Sequence, residues 1–77
     1  MTAFRLTHSQ RTVLRYLHLW RVEGFIPSSH FRFREVKDPG PILKRLAARG
    51  LVECNGVNIP GEGLCYRITD AGVEAMA

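Results

Sequence analysis

Cysteine is scarce in this 77-residue chain: there are two, Cys54 and Cys65. They form no CxxC pair and share no zinc-ligand spacing with a histidine, which argues against a disulfide-built framework and a structural metal site. A reducing, cytoplasmic setting is the expectation. Long apolar runs are also missing. The opening "MTAFRLTHSQ" has no signal-sequence pattern and no window approaches the length of a membrane span, so no membrane partner is expected. Acidic residues are outnumbered, seven Asp and Glu against eleven Lys and Arg, for a net charge of +4 and a pI of about 9.7. That imbalance favours anionic partners.

The seven carboxylates, Glu23, Glu35, Asp38, Glu53, Glu62, Asp70 and Glu74, are scattered over turns and caps, without a pair placed for acid–base work. His8, His18 and His30 share no ligand spacing. Gly61-Glu62-Gly63 is followed by no helix start, so it is a turn and not a phosphate cradle. No enzymatic activity, metal or cofactor is expected. Both cysteines sit in apolar runs and read as buried small hydrophobes. With 45% hydrophobic and 23% charged residues, a packed core is predicted, and the length allows a single domain over residues 1–77.

Thr7-His8-Ser9-Gln10 has the form of a capping box, and Val13, Leu14, Leu17 and Trp20 follow at helical spacing, with Tyr16 and Leu19 widening the stripe. Arg11, Arg15 and Arg21 fall mostly on the other side. Gly24 is placed to cap this helix, and Pro27 favours a short extended piece at Phe25 and Ile26. In "SSHFRFREVKD", Phe31 and Phe33 alternate with Arg32 and Arg34 as in a strand. Phe33 and Val36 at i, i+3 also suit a short helix, which is the reading adopted. From Pro41 a second clear helix runs to Gly50, with Ile42, Leu43 and Leu46 inward and Lys44, Arg45, Ala48 and Arg49 outward. Leu51 to Cys54 and Leu64 to Ile68 read as hairpin strands around a loop, "NGVNIPGEG". Thr69 caps a last short helix. The aromatics Tyr16, Trp20, Phe31, Phe33 and Tyr66 are expected in the core.

Three stretches carry a resemblance. "LTHSQRTVLRYL" resembles the opening helix of MarR-like bacterial and phage regulators, "ILKRLAARGLVE" their reading helix, and "YRITDAGVEAM" the strand and Thr-x-x-Gly helix that close their wing. The fold this implies is α+β, a small winged helix-turn-helix: a three-helix core, a C-terminal β-hairpin wing and a short final helix. The function it implies is double-stranded DNA binding by a small transcriptional regulator, with the helix from Pro41 to Arg49 in the major groove. Lys44, Arg45 and Arg49 stand where such helices meet DNA, Arg32 and Arg34 flank the groove, and Asn55, Asn58 and Arg67 are wing contacts. The chain departs from that pattern at Asp38-Pro39-Gly40-Pro41, where base-reading side chains commonly sit, and it lacks the long dimerisation helices, so a monomer or weak homodimer is expected. The rival expectation is a winged helix that binds protein, such as a phage-encoded inhibitor or accessory factor acting on a host protein.

Overall fold

The computed structural model describes residues 5–31, 36 and 38–76. Among these residues the fold is α+β: three helices and a three-stranded antiparallel sheet, in the chain order α1 (His8–Leu19), β1 (Ile26–Pro27), α2 (Pro39–Ala48), β2 (Val52–Ile59), β3 (Gly63–Ile68) and α3 (Asp70–Met76). Helix α1 starts where the capping box places it. The Gln10 amide donates to Thr7 Oγ1 (3.1 Å) and the Thr7 amide to Gln10 Oε1 (3.0 Å), so two orphan donors are satisfied reciprocally. The helix stops at Leu19, earlier than a Gly24 cap requires. A 3₁₀ turn, Arg21–Glu23, follows Trp20, and Gly24, at φ 83°, closes that turn instead.

A second 3₁₀ turn, Ser28–Phe31, occupies the start of the predicted short helix, and most of that segment's remainder, including Arg32, Phe33 and Arg34, lies outside the described residues. Helix α2 begins at Pro39, two residues before the predicted Pro41. Both prolines fit because amides in a first turn have no intrahelical acceptor, so their missing N–H groups cost nothing there. Its C-terminal end is a Schellman arrangement: the Leu51 amide donates to the Leu46 carbonyl and the Gly50 amide to the Ala47 carbonyl, both at 3.0 Å, with Gly50 at φ 77°.

The sheet order is β1-β3-β2. Strand β2 extends through most of the stretch predicted as loop, because "NG" marks a bulge and not the hairpin tip. Cys54 pairs with Tyr66 and Asn58 with Leu64, so residues 55–57 stand opposite Cys65 alone. Gly56 takes φ 80° there, and Asn55 Oδ1 accepts the Val57 amide at 2.9 Å. The tip is Ile59-Pro60-Gly61-Glu62, with the Glu62 amide donating to the Ile59 carbonyl (2.8 Å) and Gly61 at φ 82°. Proline second and a positive-φ glycine third are the type II requirements.

Val13, Leu14 and Leu17 of α1, Ile26 and Phe31, Leu43 and Leu46 of α2, and Leu51, Val52 and Tyr66 of the hairpin fill one core, together with Val36. Three expected core members are outside it: Trp20 is 45% exposed, Tyr16 36%, and Cys54 is exposed, whereas Cys65 is buried. Tyr16 and Trp20 sit on a flank of α1, because Val13, Leu14 and Leu17 already take the inward arc at 100° per residue. Cys54 is on the same face of β2 as Val52 by the two-residue alternation, yet it is exposed, because burial along β2 is confined to its first residues and the strand then runs on past the core towards the bulge.

Helix α3 is docked by its own cap. Thr69 Oγ1 accepts the Gly72 amide (3.1 Å) and donates to the Gly50 carbonyl (2.7 Å). Gly72 is buried, and a Cβ there collides with the Leu51 carbonyl and Ile68. Gly72→Ala is expected to destabilise the domain by about 1–3 kcal/mol despite alanine's higher helix propensity, read as a lowered urea midpoint; an unchanged midpoint refutes this close approach.

Candidate nucleic-acid interface

The face of α2 opposite the core is built by period alone. With Leu43 and Leu46 buried, the residues at the far side of a 3.6-residue turn are Pro41, Lys44, Arg45 and Ala48, and all four are exposed. Lys44 and Arg45 have no ion-pair partner among the described residues. Arg49 is exposed at the C-terminal cap of the helix. Arg45 and Arg49 also complement the partial negative charge of that helix end. Ala48, small and central, leaves the ridge open to close approach by a flat or grooved partner.

The beginning of α2 has a different character. Pro39 and Pro41 offer no amide hydrogen and Gly40 no side chain, and Asp38 caps the helix without a side-chain hydrogen bond. A small cleft of about 190 Å³ joins this start to the hairpin tip, lined by Ser28, Ser29, Asp38, Gly40 and Glu62 among others. Two carboxylates therefore flank the leading end of the helix. The tip is held there: the Glu62 carbonyl accepts the Ser29 amide (3.0 Å) and the Ser28 hydroxyl (3.3 Å), and a Glu62 carboxylate oxygen lies 3.6 Å from His30 Nε2. None of these tethers has a sequence signal, since they join residues more than thirty positions apart.

On the hairpin, Asn55 and Asn58 are exposed on β2. The Asn55 carbonyl oxygen is taken up by the bulge, which leaves its amide group as the outward donor. Arg67, on β3, is engaged within the protein: its Nε pairs with Glu53, the residue directly across the ladder, and its guanidinium stacks 4.7 Å from the centre of the Phe25 ring. The hairpin's described charges are thus Glu53, Glu62 and the paired Arg67. Of the sequence-derived site residues, Lys44, Arg45 and Arg49 share one helix, Asn55 and Asn58 one strand. Arg67 is turned to an internal partner, and Arg32 and Arg34 lie outside the described residues.

Two further surface features escaped sequence reading. Arg11, Arg15 and His18 form a basic row on one flank of α1, facing Val73 and Met76 of α3. On the other flank Tyr16 and Trp20, with Ile26, His30 and Phe31, line an apolar pocket of about 280 Å³, where Tyr16 meets Phe31 edge to face at 6.4 Å. The i, i+4, i+7 spacing was a signal for the first. Among the described residues no group of three or more His, Cys, Asp or Glu side chains is arranged to hold a metal ion, and no helix is long and apolar enough to cross a membrane.

Burial, and secondarily the neighbouring Cys54 and then Glu62, pushes the Cys65 thiol above its ordinary range; burial and then Cys54 do the same to the Tyr66 phenol. Both groups hold their protons more tightly folded than unfolded. Their contribution to stability is complete below the unfolded thiol range, about 8.5, and is lost as pH rises through the folded values. The urea midpoint is therefore expected to decline above about pH 9. At pH 8, iodoacetamide should label Cys54 about tenfold or more faster than Cys65, as read by mass spectrometry; equal rates contradict the burial. No protein-family model matches the chain, and no curated protein or solved structure matches it either.

Proposed function

We propose that the chain is a DNA-binding domain of winged-helix type that grips duplex DNA chiefly through its backbone. The observation that carries this reading is the exposed ridge of α2, where Lys44 and Arg45, without an ion-pair partner among the described residues, stand opposite the core beside Ala48. The element order supports it: a helix, a short strand, a turn, the ridge helix, and then a hairpin closed by α3. In this reading α2 enters the major groove and the Asn55 and Asn58 amides approach the backbone from the hairpin.

The chemistry of the ridge sets what such contact achieves. Lys44 is a point charge suited to phosphate, and Arg45 and Arg49 reach phosphate or a guanine edge. Pro41 and Ala48 read nothing by hydrogen bonding, and Asp38 and Glu62 repel phosphate from the start of the helix. Affinity therefore comes from about three cations, and sequence discrimination is small. The expected dissociation constant for a short duplex is in the range of about 1–100 µM at low salt, and its logarithm rises with the logarithm of salt concentration with a slope of roughly 2.7, three phosphates at 0.9 each. Lys44→Glu with Arg45→Glu is expected to weaken binding at least about tenfold in fluorescence anisotropy. Unchanged affinity in that double variant, with the fold intact by circular dichroism, rejects the α2 face.

A second reading has its own observation. Tyr16, Leu19, Trp20 and Val22 are 36%, 68%, 45% and 85% exposed within seven residues, beside the aromatic-lined pocket. Contiguous apolar surface anchored by Trp and Tyr is characteristic of protein interfaces. On this reading the domain is a protein-binding module, an inhibitor or accessory factor. A pull-down from nuclease-treated host lysate is expected to yield a stoichiometric partner that Trp20→Asp releases. Capture that is equal for both forms, or none, removes this reading.

A further inference from the structure

We propose that the cleft between α1 and α3 binds a small aliphatic carboxylate. Arg11, Arg15 and His18 line one wall, and Val73 and Met76 line the other, around an open volume of about 310 Å³. That is the lower end of the range for small-molecule sites. The two walls ask for different halves of one ligand: planar guanidinium forks match a two-oxygen head, and a valine and a methionine match an alkyl tail.

Three details favour an anion here over solvent. Arg11 is held in place, its Nη1 donating to the Met76 carbonyl at 3.2 Å, so the rest of its fork is presented at a fixed position. Arg15, one helical turn on, is exposed, and among the described residues it has no ion pair or hydrogen bond and no carboxylate side chain lines the cleft. Like charges four residues apart on a helix repel, and an anion bound between them offsets that repulsion. The third detail is His18 Nδ1, which is buried without a hydrogen-bond partner among the described residues. A buried N–H with no acceptor is costlier than a lone pair against apolar atoms, which favours the tautomer that leaves Nδ1 bare and makes Nε2 a donor. A carboxylate is favoured over phosphate because Val73 and Met76 make one wall apolar and Arg11 has already spent one N–H on Met76. No residue of α2 lines the cleft, so this site stands apart from the DNA-contacting ridge.

The test is a titration of the intact protein, followed by isothermal calorimetry and by amide chemical shifts, with octanoate as the probe. Octanoate is expected to bind at about 1 mM or tighter, shifting the amides around Arg15, His18 and Val73. Acetate, lacking the tail, and octanol, lacking the charge, are each expected to bind at least about tenfold more weakly. Arg15→Gln, an exposed change that leaves the core alone, is expected to reduce octanoate affinity about tenfold with an unchanged urea midpoint, and Val73→Asp to abolish binding. Three results overturn the proposal: no octanoate saturation by about 10 mM, equal affinity in Arg15→Gln, or octyl phosphate binding more tightly than octanoate. Duplex affinity measured with and without octanoate separates this site from the ridge, since loss of one leaves the other intact.

Discussion

The backbone corner at Gly50 and Leu51 is the constraint on which the remaining architecture depends. Within two residues the chain ends α2, begins the run into β2 and supplies the surface on which α3 rests. Gly50 takes the left-handed conformation that lets the Leu51 and Gly50 amides return to the last turn of α2. The two carbonyls then face the other way: the Gly50 oxygen accepts the Thr69 hydroxyl and the Leu51 oxygen the Thr69 amide. Gly72 lets the helix that Thr69 caps settle against the same carbonyl. Buried Leu51 ties this polar corner to the core. The hairpin's angle to α2, and the position of α3 against α1, both follow from that one turn.

That geometry divides the charge of the molecule. Helix α1 has its inward arc in the core and two unlike flanks, one basic and facing α3, the other aromatic and facing Phe31. Helix α2 offers cations along its middle and C-terminal half, whereas its start is met by Asp38 and by the tethered hairpin tip with Glu62. The hairpin contributes no unpaired cation among the described residues, because Arg67 is claimed by Glu53 and Phe25. Positive potential is thus concentrated on helices and thin on the hairpin. If the proposed contact with phosphate holds, it falls on a ridge with a polar and uncharged support beside it.

What could be read in the sequence was whatever is encoded locally. The Thr7–Gln10 box, the Leu43–Leu46 face, Gly50 as a helix end and Thr69 as a cap all act within four or five residues, and each stands where the residues indicate. The outward positions of Lys44, Arg45 and Arg49 were legible for the same reason. The misreadings share a cause too. Asn55-Gly56 has the chemistry of a tight turn, but only the cross-strand register decides that the turn is a bulge and that Pro60-Gly61 forms the tip. The start of α2 lies at Pro39, two residues before the Pro41 that the sequence suggests, because first-turn amides have no intrahelical acceptor and both prolines are tolerated there. Cys54 and Trp20 are apolar by type, and their exposure depends on which neighbours had already filled the interior. Arg67 reads as a free cation because its partners, Glu53 and Phe25, come from other strands and turns.

The bulge has one more consequence. Strand β2 is at the margin of the sheet, and from Cys54 to Ile59 it carries no charge. An uncharged, flat margin is a template for pairing with another molecule and so for aggregation. The two extra residues opposite Cys65 break the spacing of the outward amides and carbonyls, so an incoming strand can match them on one side of Gly56 or the other, not on both. A feature that the sequence advertises as a turn thus interrupts the long open margin of the sheet.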